Sequence, residues 1–389
     1  MAAEGDRSTT RRALAQLLVD AALADDSAGL PLGVTRIPSA DVLGAADLHR
    51  LSPAVYRHLK AFASVSDDML GPLAHRRHEQ LMRHLRAVED LKHAGAVLDA
   101  AGVAWVAVKG PVLAEKIWPS PDMRQYMDLD LVVDRRRFSD ALAALQDSGV
   151  SQIDRNWPVL ASTMRAELAM RGRFGTPLDL HWDIAVPREL RRAFTTDIAG
   201  MLARSGSTNL VGSVVRTLDP VDTVLHLVFH AAQAGANLLV WHADIRFAAA
   251  QPGFDWGAFE RHARQVRFEV PAAMVIARVQ RTLGFVTPPP PDVLRPAAGV
   301  WGRLAARRDA RSPFPGLPGD PHLGGNMYSG ARRRLLRTIW TSGRSHIAAR
   351  CIEANLNRAN AWERALYRDV PDQAARNRYL NITENSERP

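Results

Sequence analysis

The run "MDLDLVV", Met127 to Val133, constrains this chain more than any other segment. Its Leu, Val and Met content reads as a buried strand, yet it carries two aspartates one residue apart. In a strand, residues i and i+2 point to the same face. Asp128 and Asp130 are therefore predicted to project together, with Met127, Leu129 and Leu131 packed on the opposite side. Two carboxylates side by side in a low-dielectric setting raise each other's pKa. A divalent cation removes that conflict, and hard carboxylate oxygens suit Mg²⁺, which commonly binds one or two carboxylates together with substrate phosphates. A lone Asp-x-Asp also fits a solvated strand edge, so its surroundings carry the weight.

Those surroundings repeat the pattern. "VAWVAVKG" reads as a buried strand over 103–108 that ends in Lys109-Gly110, and "PVLAEKIW" opens a short helix with proline in its first turn. A loop, "PSPDMRQY", places Arg124 four residues before Asp128. "DRRRFSDALAALQDSG" is predicted as a helix with Phe138, Leu142 and Leu145 on one face. "TPLDLHWDI" is predicted as a third strand over 177–184, in which Asp179 and His181 share one face and Leu178, Leu180 and Trp182 the other. Asp179 is thus a candidate third carboxylate for a two-metal site, with ions about 3.5–4 Å apart, suited to in-line phosphoryl chemistry. Gly110 permits close backbone approach to a phosphate, and Lys109 and Arg124 can add positive charge to one.

The flanking regions read as helical. From "HEQLMRHLRAVEDLKHAGAVLDAAG", Leu81, Leu85, Val88, Leu91 and Leu98 fall at helical spacing. After about residue 187, "PVDTVLHLVFHAAQ", "WHADIRFAAAQ", "DWGAFERHARQV" and "VPAAMVIARVQRTLG" read as packed helices. The expected division is an N-terminal helical region over 1–79, an α/β core over 80–200 and a helical region over 201–389. The last of these carries Pro/Gly-rich stretches at 287–292 and 311–330 and an Arg-rich segment at 332–337. A chain of 389 residues with 47% apolar content can build two or three cores and is not of disordered composition. The formal charge of +9 favours polyanionic partners, nucleotide and nucleic acid alike. One cysteine, Cys351, excludes a disulfide within the chain and any cysteine-based metal site. Gln16 and Asp20 interrupt the N-terminal apolar run, which reads as an amphipathic helix rather than a signal peptide, and the most apolar window is too polar to span a bilayer. A soluble cytoplasmic protein is expected, with no membrane partner.

The ordered set "KGPVLAEKIWPSPDMRQYMDLDLVV", "LDLHWDI", "HLVFHAAQAGANLLVWHADIRFAAA" and "DWGAFERHA" resembles the uncharacterised nucleotidyltransferase family of the polymerase-β superfamily, over about residues 80–285. The resemblance implies an α+β fold with a small mixed-sheet core flanked by helices and a largely α-helical C-terminal part. It implies Asp128 and Asp130 as paired metal ligands with Asp179 as the third carboxylate. Mg²⁺ (or Mn²⁺) is the implied cofactor and an NTP the implied donor. Lys109, Gly110, Arg124 and His181 are the expected nucleotide-binding residues, and His230, Trp241 and Asp244 the expected lining of the cleft. Pro111 stands where the superfamily's nucleotide-gripping turn usually has a serine, and seventeen residues separate Gly110 from Asp128, longer than the common superfamily spacing. His226 and His230 are four apart on one helical face, a spacing that also suits a metal pair, although packing is the favoured reading. The expected activity is transfer of an NMP to a hydroxyl or amine acceptor with release of pyrophosphate. Alternatives are an RNA-modifying, toxin-like enzyme and a non-catalytic nucleotide-sensing or partner-binding module.

Overall fold

Short apolar runs bounded by Gly, Pro and polar residues form the strands. They are β1 (Trp105–Ala107), β2 (Leu129–Val133), β3 (Ser151–Gln152), β4 (Glu167–Arg171), β5 (Pro177–His181), β6 (Gly206–Leu210) and β7 (Ser213–Thr217). The computed structural model describes residues 2–24, 27–294, 307, 316–318 and 365–385. Among these the strands make one mixed sheet in the order β3-β4-β5-β2-β1-β7-β6. Helices α1 (Ala2–Leu23), α2 (Ser39–Leu48), α3 (Ser52–Leu59) and the 34-residue α4 (Asp67–Ala100) precede the sheet. Helices α5 (Pro111–Lys116), α6 (Phe138–Asp147), α7 (Trp157–Thr163), α8 (Arg188–Ala193) and α9 (Ile198–Arg204) fall between strands. A helical part follows: α10 (Pro220–Gln233), α11 (Leu239–Ala248), α12 (Trp256–Gln265), α13 (Glu269–Thr282) and α14 (Pro291–Leu294), with α15 (Gln373–Asn385) near the end of the chain. The fold class is the expected one, a mixed-sheet core flanked by helices with a largely helical C-terminal part.

The two faces of the sheet bury different partners. Leu129, Leu131 and Val133 of β2, Leu178 and Leu180 of β5, and Trp182 pack in one apolar cluster with Phe138, Leu142 and Leu145 of α6 and Tyr379 of α15. Val106 and Val132 belong to the other cluster, shared with Val224, Leu225 and Val228 of α10 and Leu239 of α11. By strand alternation Asp130 lies on this second side with Val132, facing the helical part of the chain.

Several expectations change. Met127 is 44% exposed rather than in the core, because β2 begins only at Leu129 and alternation does not reach back to it. Leu85 is 52% exposed. The buried stripe of α4 runs instead through Gln80, His84, Ala87, Val88 and Leu91, where His84 meets the Tyr126 hydroxyl at 2.9 Å and Glu115 at 2.8 Å. The expected boundaries at 79/80 and 200/201 do not coincide with breaks in structure. Helix α4 runs through the first, and the β6–β7 hairpin lies beyond the second yet extends the sheet through parallel pairing of Ala107 with Thr217. The hairpin closes on Val211 and Gly212, with φ of +47° and +80°, the left-handed pair that a tight two-residue turn requires. Helix α15 also returns to the core, where the Tyr379 ring meets Phe138 edge-on and Trp157 at a tilt. The Arg-rich 332–337 segment, Cys351 and most of the 311–330 loop lie outside the described residues. No helix among the described residues is long and apolar enough to cross a membrane.

Buried histidines join the helical layers. His49, at the turn between α2 and α3, accepts the Leu239 N–H at Nδ1 (3.2 Å), donates from Nε2 to the Gly316 carbonyl (2.7 Å) and accepts the Val240 N–H at its own carbonyl (3.3 Å). Its Nδ1 must therefore stay unprotonated, and burial pushes its pKa down to about 4. His242 on α11 is fully buried, and burial followed by the nearby Arg278 charge lowers its pKa to about 3. Both folded-state values lie below the ordinary value of 6.5, so the unfolded chain takes up these protons first as pH falls. Stability from these two sites is complete above pH 6.5 and declines on acidification, by up to about 1.4 kcal/mol per pH unit for each histidine. Urea unfolding measured between pH 7 and pH 4.5 should show this decline, and His242→Gln should flatten it; an unchanged slope in the variant contradicts the assignment.

Candidate active site

The site is assembled by strand register. Strands β2 and β5 run parallel, with Asp130 opposite Asp179 and Val132 opposite His181. Strand β4 runs antiparallel on the other side of β5, which sets Glu167 opposite His181. Ligand atoms of Asp130, Asp179 and His181 all lie within 4.8 Å of one another. This compact trio differs from the expected Asp128–Asp130–Asp179 set. Asp128 precedes β2 and stands at the border of the group, near enough to Asp130 and Asp179 for their charges to interact. His181, expected to contact nucleotide, sits inside the trio.

Charges in this cluster are balanced across short distances. Lys109 Nζ lies 3.0 Å from Asp130 Oδ1, and His181 Nε2 lies 3.1 Å from the same oxygen. Burial alone would push the Asp130 carboxyl up, but the Lys109 charge, then the His181 hydrogen bond, hold it well below the usual carboxylate range. The reverse happens at Asp179, where burial and the charges of Glu167 and Asp130 push the carboxyl well up. Asp128 is raised by burial and by Asp130. Burial lowers the His181 pKa, but its hydrogen bond to Asp130 and the Glu167 charge overcome this and leave it raised. The cluster is thus a set of crowded carboxylates only partly neutralised by one lysine and one histidine.

Helix α10 roofs the site. Lys109 Nζ approaches His230 Nδ1 at 3.4 Å, and the His230 ring meets Trp241 of α11 edge-on at 5.5 Å between centroids. His226, one turn earlier, lies 6.4 Å from His230 between ring centroids. Burial and the Lys109 charge lower the His226 pKa to about 3, which keeps it neutral. Among the described residues, neither His226 ring nitrogen nor Asp130 Oδ2 has a hydrogen-bond partner. Buried polar atoms of this kind are usually satisfied, so they point to a group that binds here.

Two expected nucleotide contacts have structural tasks. The Arg124 guanidinium is buried and grips Asp244 at both ends, Nε to Oδ1 at 2.7 Å and Nη2 to Oδ2 at 2.9 Å, while Nη1 donates to the Gly110 carbonyl at 3.3 Å. Asp244 also accepts the Trp118 indole N–H at 2.6 Å, so it anchors the loop before β2 to α11. Gly110 has φ +61°, and a Cβ there would meet the Asp128 carbonyl oxygen at 3.1 Å. Its close approach is to the backbone that carries Asp128. Lys109, Asp130, Asp179, His181, His230 and Trp241 do converge.

A mixed sheet that presents acidic residues from adjacent strands beneath α10 and α11 is consistent with the core of a nucleotidyltransferase enzyme. Residues 37–284 match the family described as "Uncharacterised nucleotidyltransferase", and the chain belongs to that family. No curated protein and no solved structure matches the chain. The match begins at residue 37, so it takes in α2 and α3, which the sequence resemblance over 80–285 left out.

Glu167 is the site residue that sequence reasoning missed. It pairs with the guanidinium of Arg165 and lies 3.7 Å from His181 Nδ1. The alternation in "ELAMR", with Leu168 and Met170 fully buried, was the available signal for β4. The Arg124–Asp244 pair yields a separate test. Removing one member of a buried ion pair leaves a desolvated charge and costs about 3–5 kcal/mol. Arg124→Met should therefore lower unfolding stability by about that amount, measured by chemical denaturation; a variant as stable as the parent would show that Arg124 does not hold the loop to α11.

Proposed function

We propose that the chain moves an NMP from an NTP to a hydroxyl or amine acceptor, with Asp130, Asp179 and Asp128 holding Mg²⁺ (or Mn²⁺) and pyrophosphate as the leaving group. The observation that carries this reading is the register of Asp130 against Asp179, within a chain of the nucleotidyltransferase family. The residues fit a hard divalent cation. Carboxylate oxygens from neighbouring strands converge, one Asp130 oxygen is buried with no hydrogen-bond partner among the described residues, and burial with carboxylate crowding raises the pKa of Asp179, a conflict that positive charge relieves.

Bound there, the metal would supply positive charge to the phosphoryl oxygens and to the leaving pyrophosphate. The chain's own residues divide the remaining work. Asp130 is fixed by Lys109 and His181, so its carboxylate stays ionised and oriented. Asp179 orients the acceptor and takes the proton that its hydroxyl or amine gives up. The acceptor oxygen or nitrogen forms a bond to the α-phosphorus as the bond to the β-phosphate oxygen breaks. Lys109, 12% exposed at its side chain, lies where it can exchange its Asp130 contact for a phosphate oxygen. Helix α10, with His230, and α11, with Trp241, cover this face and limit water.

The acceptor is a small molecule, peptide or protein in this reading. The RNA-directed alternative rests on the +9 charge and on the Arg-rich 332–337 segment, which lies outside the described residues. Incubation with each labelled NTP, Mg²⁺ and cell extract, followed by mass spectrometry, should reveal an NMP-sized adduct and released pyrophosphate. Asp130→Asn and Asp179→Asn should each reduce that turnover by about a thousandfold or more, equivalent to about 4 kcal/mol of transition-state stabilisation, while the far-UV spectrum is kept. Full turnover in either variant contradicts the assignment.

A further inference from the structure

His181 is the one member of the compact trio to which the reading above gives no bond to the cation. Asp179 and His181 are two residues apart on β5 and project to one face, and Asp130 stands opposite Asp179 on β2. Ligand atoms of the three lie within 4.8 Å of one another, with His181 Nε2 3.1 Å from Asp130 Oδ1. Two atoms each about 2.1 Å from one cation, and at right angles to each other, are about 3 Å apart. The pair therefore has the spacing of neighbouring ligands. Asp130 Oδ2, the other oxygen of that carboxylate, is buried and has no hydrogen-bond partner among the described residues.

A histidine that binds a metal through one nitrogen keeps its proton on the other, and the acceptor of that N–H orients the ring. Strand β4 supplies such an acceptor. Glu167 stands opposite His181 in the antiparallel pair, and cross-strand partners share a face. Glu167 Oε2 lies 3.7 Å from His181 Nδ1, while Oε1 is taken by the Arg165 guanidinium. His181 is buried, and its Nδ1 has no hydrogen-bond partner among the described residues. The ring thus stands between a carboxylate of the cation site and a second carboxylate anchored from behind.

We propose that His181 Nε2 is a direct ligand of the cation on Asp130 and Asp179, that Glu167 positions the ring by accepting its Nδ1–H, and that the site therefore selects Mn²⁺ over Mg²⁺. This rests on the divalent-cation part of the reading above. The His181 contact orients Asp130 until the cation takes both side chains as ligands, and any proton on Nε2 leaves to solvent. Mg²⁺ takes oxygen ligands and retains water, whereas an imidazole nitrogen adds affinity for first-row transition ions.

Electron spin-echo modulation of Mn²⁺ tests the ligand, with the Mn²⁺ complex of inorganic tripolyphosphate added to excess full chain in nitrogen-free buffer. The parent should show modulation from a coordinated ¹⁴N, and His181→Asn should lose it. Isothermal titration with the Mn²⁺ and Mg²⁺ complexes of tripolyphosphate tests the selectivity. His181→Asn and Glu167→Gln should each weaken the Mn²⁺ complex by about tenfold or more and the Mg²⁺ complex by less than about threefold. Bound Mn²⁺ without ¹⁴N modulation in the parent, or modulation that persists in His181→Asn, overturns the ligand assignment and leaves the carboxylate site and the transfer reading intact. Equal Mn²⁺ affinity in the parent and Glu167→Gln overturns the positioning role. Equal weakening of both ions marks a structural effect and also overturns it. A parent protein that takes up neither complex removes the cation reading itself, and this inference with it.

Discussion

Repulsion between carboxylates set side by side on β2 and β5 is the constraint on which the rest of this structure depends. Two such charges about 5 Å apart repel by about 3 kcal/mol at an effective dielectric of about 20. Neither strand can slip to relieve this, because a shift of one residue would turn Leu129, Leu131, Leu178 and Leu180 out of the core. The apolar face of the sheet thus holds the polar face in a state it would not adopt alone. Lys109 and His181 offset part of the repulsion at Asp130, and the remainder falls on Asp179 and Asp128.

The elements around the cluster hold it from both sides. Behind the sheet, Tyr379 of α15 accepts the Trp182 indole N–H at 2.9 Å and donates to the Arg165 carbonyl at 2.7 Å. Arg165 pairs with Glu167, and Glu167 faces His181, so the last described helix is joined to the site through a continuous series of polar contacts. In front, Asp244 binds Arg124 and Trp118, and His49 bonds the first backbone groups of α11. Helix α11 is therefore tied to the loop that delivers Asp128 and to the turn between α2 and α3. The order of regions along the chain does not match their places in space. Helices that precede and follow the sheet in sequence meet over the same cleft.

Much of the core was legible in the sequence because its apolar residues are periodic. The strands over 105–107, 129–133 and 177–181 and the stripe of Phe138, Leu142 and Leu145 follow from alternation and helical spacing. Asp130 and Asp179 were grouped in one site from the sequence, but their register was not legible, since register between strands 49 residues apart depends on their packing against α6 and α15. Strand β4 was passed over because "ELAMR" is short and lies in a polar stretch. The β6–β7 hairpin was hidden because its turn is Val-Gly rather than the Asn-Gly that announces such turns. Arg124 looked available for phosphate because its partner, Asp244, lies 120 residues away.

The central claim is that the acidic cluster on β2 and β5 takes a divalent cation together with nucleotide. Water-proton relaxation by the Mn²⁺–NTP complex, compared with and without the protein, tests it without requiring that the acceptor be known. Enhanced relaxation on adding the parent protein, and loss of that enhancement in Asp130→Asn, is the predicted result. Equal enhancement by the parent and by Asp130→Asn, or none by the parent at millimolar nucleotide, would contradict the account.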